Sequence, residues 1–410
     1  MCSLAHSQLL QAIYRYSVQS ADKTAIIAKG VSVSYALLWK NILGAAACLQ
    51  SSGLEKGDCI LLSALKDVEF VYLYFAHLLG LVNVIVDPTS NEERKKYIIE
   101  TVRPKRIFGL KGGIGYSEVS LVGKPADIGL LSAQDIADIM FTTGTTGKPK
   151  GVLLSHANIS GSANNINRYI GNTADDVEVL GLPICHSFGL GRLRCNMLLG
   201  ATFILLGSFA NLKLLFNTME QYHVTGIGMV PAVWEYIKKL SGNVFGKFAS
   251  QMSYIEIGSA AMSVENKRLL MEMFPNTRIC MHYGLTEASR SLFMEFHEYA
   301  DDLVTIGKPV TKEVDVKIFS DEGLELPTGE SGELCIKGNM VMKSYLVDGD
   351  TVDSFWGEYF RTGDYAYKSE NENFYLVSRK KEMINVGGKK VSPIEIEDAI
   401  IALGGVSDCI

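Results

Sequence analysis

The residues best suited to chemistry lie in one short loop, residues 141–151, which reads Phe-Thr-Thr-Gly-Thr-Thr-Gly-Lys-Pro-Lys-Gly. Its glycines let backbone N–H groups approach a ligand closely, and its threonine hydroxyls add further donors. Lys148 and Lys150 add positive charge. Apolar runs at residues 136–140 and 152–154 predict a strand on each side of the loop. This set of groups indicates a polyphosphate held between two strands.

Two other interpretations of this loop fit its residues less well. It is not a Walker A loop, because the G-x-x-x-x-G-K-[ST] spacing fails and Pro149 stands where a Ser or Thr should open a helix. It could be a simple hairpin turn rich in threonine and glycine. A turn needs the glycines but has no use for two lysines and four hydroxyls, so we favour anion binding.

Length and composition predict a folded protein with several packed subdomains: 410 residues, 47% hydrophobic and 20% charged. A net charge of −6 gives no basic footprint for nucleic acid. The eight cysteines include no C-x-x-C pair, so we expect reduced thiols in a cytoplasmic protein. The N-terminus lacks a signal-like segment, and the most apolar stretch, residues 71–86, is shorter than a membrane span requires.

Helical and strand-like patterns alternate along the chain, which predicts α/β layers with largely parallel sheets. A capping box starting at Ser90 predicts the start of a charged helix. Other helices are expected at residues 9–16, 35–51 and 156–169, and strands at 59–63, 227–231, 254–258 and 278–281. Ligands bind at the carboxyl ends of such strands. From about Thr305 short β-rich pieces predict a small β-barrel-like subdomain.

Four further segments accompany the loop, in the order 182–189, 283–287, 359–364 and 378–393. Together with the loop they resemble the adenylate-forming (AMP-binding) superfamily, which includes acyl- and aryl-CoA synthetases, peptide-synthetase adenylation domains and luciferases. The resemblance covers the chain from Tyr35 on. It implies that a carboxylic acid is joined to AMP with release of pyrophosphate, and that the acyl group then passes to a thiol. ATP, Mg²⁺ and CoA, or a carrier-protein phosphopantetheine, are the implied cofactors.

The resemblance also assigns roles within the nucleotide site. Thr286 would bind the α-phosphate, Glu287 would hold Mg²⁺, and Asp364 would hold the ribose hydroxyls. The implied catalytic residues are Thr286, Glu287 and His186. Tyr283 would lie on one face of the adenine. The implied ATP-binding residues are Thr142, Thr143, Gly144, Thr145, Thr146, Gly147, Lys148, Ser259, Ala260, Tyr283, Asp364 and Arg379.

Other positions are assigned to the acid and the thiol. His186 would lie against the carboxylate and gate an acyl pocket bounded also by Val230 and His282, although a packed core histidine is the alternative. His282 departs from the small residue frequent in aryl-CoA ligases, which predicts a short or polar acid. Lys381 matches a hinge, and Gly388 matches a glycine that lines the pantetheine tunnel.

The expected domain organisation follows from the resemblance. Residues 1–380 would form the N-terminal domain, divided into α/β subdomains at about 1–304 and a β-rich subdomain at about 305–380. Residues 381–410 would be the hinge and the truncated start of a C-terminal α+β domain. Family members continue into a domain whose lysine drives the first half-reaction, so this chain is expected to adenylate acids slowly. A carrier-loading enzyme, or a protein that only binds nucleotide or acyl-adenylate, remain alternatives.

Overall fold

The structure is a computed structural model, which describes residues 7–65, 67–125, 128, 131–143, 148–382, 384–386, 389–391, 393, 396–397, 400 and 403. The helices are α1 Gln8–Gln19, α2 Tyr35–Ser51, α3 Val68–Phe75, α4 Glu92–Val102, α5 His156–Ile170, α6 Ser187–Leu199, α7 Leu212–Gln221, α8 Pro231–Ser241, α9 Val264–Met273 and α10 Asp348–Thr351.

The strands in chain order are β1 Thr24–Ala28, β2 Val31–Ser34, β3 Cys59–Ser63, β4 Val82–Val86, β5 Arg106–Phe108, β6 Ile136–Thr143, β7 Pro149–Ser155, β8 Val177–Leu180, β9 Thr202–Leu205, β10 Gly226–Met229, β11 Tyr254–Ile257, β12 Arg278–Tyr283, β13 Leu292–Glu295, β14 Lys308–Pro309, β15 Val314–Phe319, β16 Gly332–Gly338, β17 Ser344–Tyr345, β18 Phe355–Trp356, β19 Tyr359–Lys368, β20 Phe374–Arg379, β21 Ile384–Val386 and β22 Lys389–Val391.

Two large sheets dominate the fold. A nine-stranded sheet has the order β14-β13-β12-β11-β10-β8-β9-β1-β2, and a six-stranded sheet has the order β17-β7-β6-β4-β3-β5. The inner strands of the nine-stranded sheet run parallel, from β1 and β9 through β8 and β10 to β11 and β12. Strands β10 and β11 are buried along their whole length, as parallel strands covered on both faces should be. The predicted α/β class with largely parallel sheets is confirmed.

A smaller antiparallel sheet follows, with the order β15-β16-β19-β18 and with β20 paired to β19. It accounts for the predicted β-rich subdomain. One strand of the same stretch leaves it: β17 pairs with β7 in the six-stranded sheet, so Tyr345 lies opposite Val152. The two large sheets share one continuous apolar core with the small sheet. The domain boundaries near residues 304 and 380 stay predictions.

The structure corrects two local boundaries. The predicted capping box at Ser90 is wrong by one residue, because Asn91 is the N-cap of α4 and its Oδ1 accepts the N–H of Arg94 at 2.8 Å. Strand β12 was predicted to end at Met281 but continues to Tyr283, because His282 and Tyr283 pair with the antiparallel strand β13. The predicted helix start at residues 392–395 and its end at Gly404 and Gly405 fall mostly or wholly outside the described residues.

Candidate functional site

A cavity of about 710 Å³ lies where all three sheets come together. The β6–β7 hairpin contributes Thr142 and Lys150, which face each other in register. The loops after β11 and β12 contribute Ser259 and residues 284–287. The small sheet contributes residues 360–363 and 379–382 from β19, from the end of β20 and from the turn that follows. The predicted loop, strand ends and β-rich subdomain therefore border one space.

Three of the predicted nucleotide residues form a hydrogen-bonded group. The Tyr283 hydroxyl donates to Asp364 Oδ2 at 2.5 Å, and Arg379 Nε lies 2.9 Å from Asp364 Oδ1. Asp364 and Arg379 are cross-strand partners on β19 and β20, whereas Tyr283 ends β12 in the nine-stranded sheet. The group thus joins two sheets by charged hydrogen bonds, which are the stronger kind.

Burial has the largest influence on the pKa values of Asp364 and Tyr283. Asp364 is 2% exposed, and desolvation raises the pKa of its carboxyl, although the Tyr283 hydroxyl and the Arg379 guanidinium oppose that shift. Desolvation, with Asp364 beside it, also raises the pKa of the Tyr283 hydroxyl well above its ordinary range. Tyr283 therefore stays a donor at neutral pH, and Asp364 stays an acceptor held in a fixed orientation.

Glu287 is buried, lines the cavity and has a partner on one side. Its Oε1 accepts from the Tyr345 hydroxyl at 2.8 Å, and its backbone carbonyl accepts the N–H of Met342 at 2.7 Å. These contacts fix the loop that carries Thr286 and Glu287 against strand β17. A carboxylate fixed in this way at a cavity wall, with one oxygen not used by Tyr345, suits a Mg²⁺ ion that also binds phosphate oxygens.

The Gly284 backbone is part of the same loop. A Cβ at Gly284 would lie 2.3 Å from the backbone nitrogen of Arg290, and Leu285 and Ala288 exchange backbone hydrogen bonds at 3.1 and 3.2 Å. A side chain at position 284 would therefore force this turn open. This close approach explains why glycine stands before Thr286 and Glu287.

Lys150 is the cavity-lining cation of the hairpin. Its Nζ lies 3.3 Å from Asp350 and 4.9 Å from the ring centroid of Tyr345. Lys148, which the resemblance favours, is exposed. The predicted residues Gly144, Thr145, Thr146 and Gly147, and the side chain of Thr143, lie outside the described residues.

Ser259 occupies a backbone conformation that side chains disfavour. Its φ is +72°, and it lies with Ala260 on the exposed loop after β11. Such strain outside glycine is concentrated at functional sites. The preceding Gly258 is required sterically, because a Cβ there would lie 2.0 Å from Cε1 of His282.

The three predicted acyl-pocket residues contact different groups. His282 has a side chain only 6% exposed, with Nδ1 2.8 Å from Glu256 Oε1 and its ring 4.9 Å from that of Phe188. Desolvation lowers the pKa of the His282 imidazole. Val230 is half-buried at the end of β10. His186 is exposed and occupies the N-cap position of α6. Val230 and His282 lie at the carboxyl ends of β10 and β12, which belong to the same sheet. His186 lies beside Asp87 and Cys185.

The structure also contains charged residues that the sequence reasoning missed. Glu256 on β11 lies 2.8 Å from Arg290 Nε and 3.1 Å from Arg192 Nη1. Arg192 also donates to Glu178 on β8, through Nε at 2.8 Å and Nη2 at 2.5 Å. We call Glu178, Arg192, Glu256 and Arg290 the buried ion network, since all four are at most 2% exposed. A glutamate inside the apolar run Tyr-Ile-Glu-Ile was the available signal.

Arg290 connects this network to the cavity wall. Its Nη1 donates to the backbone carbonyl of Ser187 at 3.1 Å, and its Nη2 donates to that of Phe188 at 2.9 Å. Ser187 lines the cavity. Arg290 thus holds the start of α6 at a fixed distance from the loop after β12.

The hinge and tunnel positions predicted from the sequence lie near the end of the described chain or outside it. Lys381 is exposed and lines the cavity. Gly388, assigned to the pantetheine tunnel, lies outside the described residues. In the part of the chain that the structure describes, none of the helices combines the length and apolarity needed to cross a membrane. The six cysteines described there carry no disulfide.

Comparison with known proteins places this geometry among related chains. The sequence model of the family described as AMP-binding enzyme matches residues 14–346. The 4-coumarate–CoA ligase 5 of Oryza sativa subsp. japonica is 27% identical over 98% of this chain and 81% of its own length. The 4-coumarate–CoA ligase of Pinus taeda is 31% identical over 67% of this chain and 53% of its own.

Solved structures share the fold. MatB from Rhodopseudomonas palustris with bound ATP has a TM-score of 0.86 and 25% identity, and covers 98% of this chain and 84% of its own. The o-succinylbenzoate CoA synthetase MenE from Bacillus subtilis, in complex with the acyl-adenylate intermediate OSB-AMP, has a TM-score of 0.86 and 23% identity, with the same coverage. The fold of this chain is therefore that of acyl-CoA synthetase-like ligases.

Proposed function

Because the chain belongs to the AMP-binding enzyme family, we propose that it activates a carboxylic acid with ATP and Mg²⁺ and passes the acyl group to coenzyme A. The observation that carries the proposal is the shared cavity: Thr286, Glu287 and Arg379 line it, and Arg379 is bonded to Asp364, which accepts from Tyr283. The relatives named as CoA ligases favour coenzyme A over a carrier protein as the acceptor.

Each group has a role in this scheme. Asp364 would accept hydrogen bonds from the ribose hydroxyls, with Tyr283 beside the adenine. Thr286 would donate to the α-phosphate, where negative charge develops as the acid attacks. Glu287 would hold Mg²⁺, which neutralises phosphate charge when bound. Lys150, which lines the same cavity, adds a cation to its wall.

The proposed reaction has two balanced steps. A carboxylate oxygen of the acid attacks the α-phosphorus, the bond to pyrophosphate breaks, and an acyl-adenylate remains. The thiolate sulfur of coenzyme A then attacks the acyl carbon, and AMP leaves with the bonding electron pair. Placing the acid and ATP in one cavity lowers the entropic part of the first barrier.

The proposed acid is short or polar. The His282 ring packs on Phe188 and against Gly258. It therefore narrows the space at the carboxyl ends of β10 and β12, where Val230 also lies. Because this ring takes up space, a long alkyl chain has little room there. His282 already lies next to Glu256, which keeps its ring orientation fixed.

The test is carboxylate-dependent exchange of labelled pyrophosphate into ATP, run over a panel of short, polar, aromatic and long-chain acids. Detection of the acyl-CoA by mass spectrometry identifies the acceptor. Thr286→Ala should lower the exchange rate by about 10²–10³-fold, whereas Ser320→Ala, outside the cavity lining, should leave it unchanged. Exchange that needs no acid, or that is equal in Thr286→Ala and the unaltered chain, would refute the proposal.

A further inference from the structure

Three side chains outside the nucleotide groups converge beside the cavity. Asp87 follows β4, and Cys185 and His186 immediately precede α6. One carboxylate oxygen, the thiol sulfur and one imidazole nitrogen all lie within 4.8 Å of one another. We propose that Asp87, Cys185 and His186, together the zinc cluster, bind a zinc ion. The argument for zinc rests on these three side chains and not on the proposed adenylation activity, although the resemblance assigns His186 to the acyl pocket as well.

The donor set favours zinc over the magnesium ion of the nucleotide site. Zinc accepts thiolate, imidazole and carboxylate ligands together, at about 2.0–2.3 Å in tetrahedral geometry. Ligand atoms around such an ion are separated by roughly 3.3–3.8 Å, so these three need to close in by about 1 Å. Magnesium and calcium take oxygen ligands and have no use for the sulfur or the nitrogen.

Thr89 already holds the Asp87 carboxylate in one orientation. Asp87 Oδ1 accepts the backbone N–H of Thr89 at 2.8 Å and its hydroxyl at 2.7 Å. The other oxygen can therefore turn toward Cys185 and His186. A partner that fixes a ligating group in this way is a common feature of zinc sites. Zinc binds the thiolate form of cysteine, so a proton should be released on binding.

The cluster has a buried side and an open side. Cys185 is 8% exposed and Asp87 is half-buried, while His186 is exposed. Three protein ligands with solvent access leave a fourth position for water, as in open zinc sites. Thiolate and carboxylate together balance the charge of the ion. The zinc cluster is next to Ser187, which lines the cavity. A zinc ion bound there would lie beside the proposed acid site and could take a further ligand.

The experiment titrates Zn²⁺, and separately Co²⁺, into the purified chain without nucleotide or acid. We expect one zinc per chain by calorimetry and a thiolate-to-cobalt charge-transfer absorption band. Cys185→Ser should abolish the band, and Cys185→Ser and His186→Gln should each weaken zinc binding by at least about 100-fold. Thr89→Val should weaken it by roughly 10–100-fold through the lost orientation of Asp87.

Matched controls use the same residue types elsewhere in the chain. Cys59→Ser and His223→Gln should leave zinc affinity unchanged, and circular dichroism should show that every variant is folded. A Co²⁺ complex without the thiolate band, or zinc affinity equal in Cys185→Ser and Cys59→Ser, would overturn the proposal. Since neither titration contains ATP, its outcome is separate from that of the adenylation test.

Discussion

Two sets of charged residues meet near the end of β12, and they differ in what neutralises them. In the buried ion network, Glu256 is paired with Arg290 and Arg192, and these side chains are at most 2% exposed. At the cavity, Glu287 is also buried but borders an open space of about 710 Å³, and Asp364 is paired with Arg379, which lines the same space. The first set is neutralised within the protein, whereas the Glu287 carboxylate meets the Tyr345 hydroxyl and a bound cation can balance its charge.

The pKa directions reflect this difference. The Glu256 carboxyl is fully buried, yet Arg290 and Arg192 outweigh its desolvation and hold its pKa well below the ordinary 4.5. For Asp364, desolvation prevails over Tyr283 and Arg379 and raises its pKa above the ordinary 3.8. Glu256 thus stabilises the fold as an anion, whereas burial makes the ionised form of Asp364 less favourable in the folded state.

The largest expected effect is a loss of unfolding free energy in the variant Glu256→Gln. Removing the carboxylate leaves the guanidinium groups of Arg192 and Arg290 without their shared anion, and breaking a buried pair in this way costs about 3–5 kcal/mol. Urea unfolding followed by circular dichroism measures the loss. The control Glu298→Gln breaks an exposed pair with Arg278 and should cost less than about 1 kcal/mol. Equal losses would remove the distinction between the two sets.

The second largest expected effect is a weaker dependence of ATP binding on Mg²⁺ in the variant Glu287→Gln. The variant keeps the shape and can still accept from the Tyr345 hydroxyl, but it loses the charge proposed to hold Mg²⁺. The gain in ATP affinity on adding Mg²⁺ should fall by about 1.5–3 kcal/mol. Glu322→Gln, on an exposed turn, is the control. A Mg²⁺ effect of full size in Glu287→Gln would place the metal elsewhere.

A third prediction concerns pH, and the two carboxylates should act with opposite signs. The pKa of Glu256 is lower in the folded state, so its stabilisation is present above about pH 4.5 and is lost as pH falls. The pKa of Asp364 is higher in the folded state, so its contribution is present below about pH 3.8 and is lost as pH rises. Unfolding midpoints between pH 3 and pH 7 should therefore depend less on pH in Glu256→Gln and more in Asp364→Asn. Identical profiles would contradict the assignment.

The smallest expected effect is on acid selectivity, in His282→Gly. Removing the ring frees space between Phe188 and Gly258 and should shift preference toward longer or aromatic acids by roughly 10-fold in kcat/KM, as one or two methylenes in a pocket do. His223→Gly, outside this edge, should leave the preference unchanged. An unaltered chain that prefers a long saturated fatty acid would refute the pocket argument but not the adenylation proposal.

The sequence predicted what depends on local pattern. Helix α2 was expected at residues 35–51 and occupies Tyr35–Ser51, because a Ser34 cap and an apolar face fix it locally. The segments containing Tyr283 and Asp364 were recognised as motifs, and the structure joins them by a hydrogen bond. Their distances could not be read from the sequence, since the two residues are 81 positions apart.

What the sequence did not reveal depends on long-range contacts. Tyr345 bonds Glu287 only because β17 leaves its neighbours in the chain and pairs with β7. The buried ion network brings together β8, α6, β11 and the loop after β12, so that no single segment shows it. The orientation of His282 toward Glu256 follows from that network rather than from the motif in which it lies.

The most direct test of the central claim is calorimetric titration of ATP·Mg²⁺ into the chain, into Asp364→Ala and into the exposed control Asp301→Ala. The unaltered chain and Asp301→Ala should bind one nucleotide with equal affinity. Asp364→Ala should bind about 1.5–3 kcal/mol more weakly, the range for a hydrogen bond to a charged group, and circular dichroism should show that this variant is folded at the temperature of the titration. Absence of ATP binding, or an affinity unchanged in Asp364→Ala, would contradict the claim that this cavity is the nucleotide site.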